Sequence, residues 1–171
     1  MEYRVRPAKT GVFIDINDPT DGSENIIMLN IELLLQKKTL QEILAIAKNK
    51  KVCSVPGVTY MSSLSDRDGN VLHIIPGQGY KYYEKPDHAT LTNFSPFKQD
   101  AEQHPWMGWD RYHKAETMIQ ALGDDFSADD CFTVLKEVSQ EVCPTVVSMV
   151  YDVSVKQFSG AKTETGAASK A

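Results

Sequence analysis

The chain has 171 residues, of which 42% are hydrophobic, and this length suits one domain with a core of its own. Its formal net charge of -5, from 23 acidic and 18 basic residues, argues against a nucleic-acid-binding protein, which usually has a basic excess. No segment approaches the ~18–20 consecutive apolar residues of a membrane helix, and the first residues lack the apolar stretch of a secretory signal. We therefore expect a cytoplasmic protein that binds neither nucleic acid nor membrane.

The first part of the chain predicts one strand and two helices. Residues 11–18, GVFIDIND, alternate apolar side chains with others as a half-buried strand does. Residues 26–38 and 39–51 each predict a helix. The second of these begins with a capping box, in which the side chains of Thr39 and Glu42 each bond the other residue's backbone N–H.

The middle of the chain predicts antiparallel strands. Asp-Gly at 68–69 lies between the alternating runs 59–66 and 70–77, and this dipeptide is a strong hairpin signal. Shorter strands are expected at 79–84 and 89–94.

Two helices and one strand follow. The first helix begins after Gly108 and ends at Gly123, and the second begins at Ser127, whose side chain can form a capping box with Asp130. Residues 145–155 then predict an apolar strand.

Hairpins and grouped helices in this order indicate an α+β fold with antiparallel sheets, in one domain at residues 1–158. The small polar residues 159–171 predict a disordered tail.

The cysteines and histidines predict no disulfide framework and no metal site, and we expect no cofactor. The number of cysteines is odd and no two of them form a CxxC pair, and the four histidines are scattered. The cysteines are Cys53, Cys131 and Cys143. Cys53 lies in a loop-like stretch, but no paired base lies beside it in the sequence.

Three residues are candidates for a catalytic site. Asn93 lies at the end of a predicted strand, where a side-chain amide can donate to a developing oxyanion. Arg111 lies in the first turn of a predicted helix, where a cation is disfavoured by the helix dipole and needs a carboxylate partner or a substrate. A surface ion pair would also explain Arg111. Asn17 precedes Asp18-Pro19, where turn formation is the alternative role.

Five segments in chain order resemble the linear amide C–N hydrolases of the choloylglycine hydrolase and penicillin V acylase superfamily. LTNFSPF is similar to the family's Leu-Thr-Asn-x-Pro-x-Phe pattern, with Ser95 inserted before the proline, and GWDRY is similar to its Gly-x-x-Arg-Tyr/Phe element. The resemblance covers residues 11–155 and implies an incomplete αββα sandwich of the N-terminal-nucleophile type. The five segments are GVFIDIND, SLSDRDGNVLHII, LTNFSPF, GWDRYHKAETMI and PTVVSMVYDV.

Carried over to this chain, the resemblance implies that Asn93 lies near the oxyanion and the substrate, and that Arg111 lies near the nucleophile. Asn17 would be the second asparagine of the oxyanion hole. In this family the thiolate of an N-terminal Cys attacks the amide carbonyl and its own α-amino group acts as the base. The implied substrate is a small-molecule N-acyl amide, and no cofactor is needed.

The nucleophile of that mechanism is not among the 171 residues. In the family it opens the mature chain, ahead of the region matched by GVFIDIND, whereas this sequence begins Met-Glu and its three cysteines are internal. We expect either a hydrolase inactive without a nucleophile from a longer chain or a partner chain, or a non-catalytic binding or interaction module of the same fold. Missing sheet strands would leave edges for a partner or a homo-oligomer to cover.

Overall fold

The computed structural model describes residues 22–54, 60–93, 95, 97, 108–123, 126–140, 145, 147–152 and 157–162. The elements are mixed helices and strands, which confirms the α+β class. The chain divides into two compact units, the first formed by Met1–Leu91 with Ser95–Lys98 and the second by Thr92–Phe94 with Gln99–Ala171.

The first unit contains two helices and five strands within the described residues. In chain order they are β1 (Glu24–Asn25), α1 (Ile26–Leu34), α2 (Leu40–Asn49), β2 (Val52–Cys53), β3 (Ser62–Ser65), β4 (Val71–Ile75) and β5 (Gly79–Tyr83).

Helix α1 is shorter than the sequence predicts. The Asn25 side chain caps its start by accepting from the backbone N–H of Ile27 at 2.9 Å. The predicted end at residue 38 is wrong, because the helix stops at Leu34 and Gln36 adopts a left-handed backbone with φ 56°. A single left-handed residue breaks the repeating hydrogen-bond pattern of a right-handed helix.

Helix α2 has the capping box that its sequence predicts. The Thr39 hydroxyl accepts from the Glu42 backbone N–H at 3.2 Å, and the Glu42 carboxylate accepts from the Thr39 N–H at 2.7 Å. Three buried side chains, Leu40, Ile43 and Leu44, form the inner face of this helix. The core that they join also includes Ile26, Leu29, Val52, Leu64, Leu72 and Ile74.

The predicted hairpin and the third strand are confirmed, since β3, β4 and β5 form an antiparallel sheet with β4 in the centre. At the hairpin turn, the Asp66 carboxylate accepts from the backbone N–H groups of Asp68 and Asn70, both at 3.0 Å. Burial raises the pKa of Asp66, but these hydrogen bonds and one from the Asn70 side chain outweigh it, so the pKa lies below its usual value.

Strand β4 is buried on both faces. Leu72 and Ile74 join the core, while His73 lies on the other face and is 1% exposed. His73 contacts the Tyr83 ring edge-on at 5.2 Å between centroids, and its Nε2 atom has no hydrogen-bond partner among the described residues. Burial lowers the pKa of His73, and the positive charge of Lys81 lowers it further.

Strands β1 and β2 form a short parallel pair, with Glu24 opposite Val52. The expectation of antiparallel sheets therefore holds for two of the three sheets within the described residues. The strand predicted at 89–94 is wrong for residues 89–93, which form no strand. The strand predicted at 11–18 lies outside the described residues.

The second unit contains two helices and a hairpin within the described residues: α3 (Trp109–Leu122), α4 (Ala128–Glu137), β6 (Val147–Asp152) and β7 (Gln157–Lys162). Both helices begin where the sequence predicts, and Ser127 and Asp130 form the expected capping box. The helices pack against each other, with Ala115 and Val134 buried.

Strand β6 confirms the predicted strand over Val147–Asp152, and it pairs with β7 from Val147 opposite Lys162 to Asp152 opposite Gln157. The disordered tail expected from residue 159 is therefore wrong for residues 159–162, which pair with β6. The rest of the expected tail lies outside the described residues.

No helix among the described residues is both long and apolar enough to cross a membrane. The same residues include no group of three or more His, Cys, Asp or Glu side chains that could hold a metal ion.

Candidate functional site

Two of the three candidate residues lie together in the second unit. Arg111 is the third residue of α3 and is half-buried. Asn93 is exposed and lies in an irregular segment, not at the end of a strand as predicted. Asn17 lies outside the described residues.

Arg111 and Asn93 are joined by a direct hydrogen bond. The Arg111 Nη2 donates to the Asn93 Oδ1 at 2.8 Å across 18 residues of sequence. Since an amide carries its oxygen and its NH₂ on opposite sides, this bond turns the Asn93 NH₂ away from the guanidinium. The Asn93 Oδ1 is thus occupied by Arg111, while the Asn93 NH₂ points away from the guanidinium.

Gly108 brings the two partners close. Its carbonyl accepts from the Thr92 hydroxyl at 2.8 Å and from the Tyr112 backbone N–H at 3.0 Å, so it ties residues 92–93 to the first turn of α3. Gly108 is buried and left-handed, with φ 96°. A Cβ there would lie 3.0 Å from Arg111 Nη2, and 3.1 Å from both the Asn93 nitrogen and the Thr92 hydroxyl oxygen.

Gln140 is the second partner of Arg111, and no motif of the sequence points to it. It lies two residues after Val138, the C-cap residue of α4. Its side-chain oxygen accepts from Arg111 Nη2 at 2.8 Å and from Nε at 3.0 Å. The orientation of the amide follows from chemistry, because a guanidinium only donates and so the oxygen must face it.

The partners that the described residues supply to Arg111 are therefore two neutral carboxamides. The sequence predicted a carboxylate partner or a substrate for this arginine, and the carboxylate is not found among those residues. Asp110, the acidic residue in the first turn of α3, is exposed. These contacts hold the guanidinium in place, and no carboxylate of the described residues neutralises its positive charge.

Aromatic side chains lie on the same turns of α3. The Trp109 and His113 rings are tilted against each other at 4.3 Å between centroids, and Tyr112 contacts the His113 ring edge-on at 5.4 Å. The beginning of α3 thus combines a fixed cation with flat aromatic rings.

Neither described cysteine is suited to nucleophilic attack. Cys53, expected in a loop, lies in β2 at 3% exposure, and its thiol donates to the Glu24 carbonyl at 3.4 Å. Burial and then the charge of Asp130 raise the pKa of the Cys131 thiol, which disfavours the reactive thiolate. Cys143 lies outside the described residues.

What the arrangement can do chemically is bind negative charge. The N–H groups of the half-buried Arg111 guanidinium can stabilise a carboxylate or an oxyanion, and the neutral NH₂ of Asn93 can donate to the same anion. Comparison of the chain with protein-family models, with curated proteins and with solved structures finds no match.

Proposed function

We propose that this chain forms part of the active site of a hydrolase that cleaves linear amide C–N bonds of N-acyl substrates, with the αββα sandwich of the choloylglycine hydrolase type. The observation that carries the proposal is the 2.8 Å hydrogen bond from Arg111 Nη2 to Asn93 Oδ1. These are the two residues that the motifs LTNFSPF and GWDRY assign to one site, and they meet although 18 positions separate them.

In the proposed reaction a Cys thiolate attacks the amide carbonyl carbon, and a C–S bond forms as the C=O electrons move to oxygen. The Asn93 NH₂ donates to that oxyanion, and the positive charge of Arg111 stabilises it. When the C–N bond breaks, the amine leaves with the proton that the nucleophile's α-amino group took from the thiol. Water then hydrolyses the thioester to the acid. Asn17 is proposed as a second donor to the oxyanion.

The proposal assigns the nucleophile to a polypeptide segment other than residues 1–171, either on a longer chain or on a partner chain. Exposed apolar side chains on β6 support such a partner. Val147 and Met149 lie on the same face of β6 and are 52% and 67% exposed. Contiguous exposed apolar side chains of this kind mark interaction surfaces.

The test begins with protein isolated from its natural source. Its intact mass under denaturing conditions is compared with 19.1 kDa, and every co-purifying chain is identified. The preparation is then assayed for release of amines from N-acyl amides. A larger mass or a second chain that begins with Cys, together with amide hydrolysis, is expected. A single 19.1 kDa species without hydrolysis would contradict the proposal.

Variants of the active preparation test the two residues. Arg111→Ala is expected to cut turnover strongly while the protein still folds, and the matched control Arg67→Ala, at an exposed turn position, should retain activity. Asn93→Ala should lose roughly 10²–10³ in kcat, the usual effect of removing an oxyanion donor. Unchanged kcat in Asn93→Ala would make the role of Asn93 structural.

A non-catalytic binding module is the second candidate. Cys53 is buried and the pKa of Cys131 is raised, and both features disfavour nucleophilic attack by the described thiols. In this case the same Arg111 and Asn93 donors would hold an anionic ligand without cleaving it. A 19.1 kDa species that binds small carboxylates but hydrolyses no amide would support this candidate.

A further inference from the structure

We infer that Gln140 is a positioning residue for Arg111, which orients the guanidinium and leaves its positive charge available to an anionic group. The inference deepens the proposed function and rests on Arg111 acting in that site. Gln140 has no counterpart among the motifs that the sequence supplies, and it comes from the segment after α4.

Gln140 and Asn93 together hold two edges of the Arg111 guanidinium. One oxygen of Gln140 accepts from both Nε and Nη2 of Arg111, at 3.0 and 2.8 Å, and Asn93 takes a further bond from Nη2. A guanidinium is planar and has five N–H groups in a fixed fork. Fixing the Nε and Nη2 edges therefore also fixes the direction of the two Nη1 N–H groups.

The N–H donors of Arg111 are only partly used by these contacts. The three contacts occupy the Nε N–H and both Nη2 N–H groups, and the described residues provide no acceptor for Nη1. The edge of the guanidinium that carries Nη1 is thus oriented and still able to donate. An acceptor with negative charge suits it best, because hydrogen bonds between charged partners are the strong ones.

Gln140 is a neutral partner for the positively charged Arg111. Glutamate at position 140 would reach the same two N–H groups with nearly the same shape, but it would pair with Arg111 and neutralise it. Glutamine keeps the geometry without the charge. Arg111 also lies in the first turn of α3, where the helix dipole is positive and the uncompensated charge is least stabilised by its own helix. The arrangement therefore favours binding of an anion from outside the cluster.

The test compares Gln140→Glu and Gln140→Met, with Gln120→Glu as the matched control on the exposed face of α3. The probe is methanesulfonate, which stays a monoanion across the pH range used, and dimethyl sulfone is its uncharged counterpart. Binding is followed by NMR through the Nε–Hε signal of Arg111 at constant ionic strength. Because no hydrolysis is needed, the result stands whether or not amide cleavage is ever observed.

For the unmodified chain and for Gln120→Glu, we expect a saturable shift of the Arg111 signal with methanesulfonate and none with dimethyl sulfone. Gln140→Glu should weaken methanesulfonate binding at least tenfold at pH 7, with recovery as the pH falls and the introduced carboxyl is protonated. Gln140→Met should move the Nε–Hε signal towards that of an unrestrained arginine. A structural role alone would not produce recovery at acid pH.

Two results would overturn the inference while leaving the proposed function intact. One is methanesulfonate binding by Gln140→Glu at pH 7 as tight as that of the unmodified chain. The other is an unchanged Arg111 Nε–Hε signal in Gln140→Met. The isosteric Gln140→Glu variant keeps the experiment decisive if Gln140→Met fails to fold.

Discussion

Replacement of Gly108 by alanine tests whether the close approach of residues 92–93 to α3 creates the Arg111–Asn93 pair. The substitution adds a single methyl group at a residue with φ 96°. That methyl would lie 3.1 Å from the Asn93 backbone nitrogen, which cannot rotate away as the end of a flexible side chain can. Either the 92–93 segment or the Arg111 side chain must move.

The cost has two parts. A non-glycine residue in the left-handed region costs about 1–2 kcal/mol. Displacement of the Arg111–Asn93 hydrogen bond adds about 1 kcal/mol, taken from the middle of the range for net hydrogen-bond contributions because the pair is partly exposed. The expected loss in the free energy of unfolding is therefore about 2–3 kcal/mol.

The matched control is Gly69→Ala in the β3–β4 turn, where φ is 84° and no atom lies within 4 Å of the added Cβ. This control carries the backbone strain without the crowding, so we expect a loss of only about 1–2 kcal/mol. Urea unfolding is followed by far-UV circular dichroism for both units. Tryptophan fluorescence follows the second unit alone, since Trp106 and Trp109 both belong to it.

A loss in Gly108→Ala no larger than in Gly69→Ala would refute the reasoning, because crowding would then contribute nothing. Unchanged Arg111 Nη2–Hη2 signals in Gly108→Ala would refute it separately, since the hydrogen bond from Nη2 to Asn93 would have survived the added methyl. A fluorescence transition at lower urea concentration, together with a change in the Nη2–Hη2 signals, is the expected combination.

Three further outcomes are expected. His73→Leu should remove a pH dependence of the free energy of unfolding. In the unmodified chain the buried imidazole has a lowered pKa, so just below pH ~6.5 only the unfolded chain is protonated, and the stability should fall there by up to about 1.4 kcal/mol per pH unit. Urea unfolding from pH 8 to 5 measures this, with His113→Gln at an exposed position as the control. Ser127→Ala should lower the stability of the second unit by about 1 kcal/mol in fluorescence-detected unfolding, whereas the equivalent Thr39→Ala in the first unit should leave that signal unchanged. The lowered pKa of Asp66 stabilises the folded chain above pH ~3.8, and this stability is lost as the pH falls through the folded pKa. Asp66→Ala should remove this contribution, so the free energy of unfolding of the variant should fall less steeply with decreasing pH. An identical pH dependence at acid pH would contradict this.

The parts of the fold that the sequence predicted correctly depend on interactions within a few residues. The starts of α2 and α4 follow from capping boxes, in which Thr39 and Ser127 each bond a residue three positions later. The β3–β4 hairpin follows from a turn in which Asp66 bonds the backbone two and four positions on. Such signals are complete in the local sequence, so distant contacts change them little.

The errors lie where distant contacts decide. The apolar run that begins at residue 26 favours a longer helix, but the chain turns at Gln36 so that α2 can pack beside α1 on one core. The small polar residues 159–162 look disordered alone, yet they pair with β6 through backbone hydrogen bonds that do not depend on side-chain type. Composition reports the tendency of an isolated segment and not the partner that it finds.

The candidate site divides in the same way. Arg111 is a candidate because a cation in the first turn of a helix opposes the dipole, and this local anomaly is visible in the sequence. Gln140 has no local anomaly, since a glutamine after a helix is ordinary, and only the end of α4 brings it to the guanidinium. Its partners are nevertheless informative, because an arginine that served stability alone would gain more from Asp or Glu, which add Coulomb attraction to the same hydrogen bonds. Among the described residues, two carboxamides hold Arg111 without neutralising it, which is the arrangement that the proposed anion site requires.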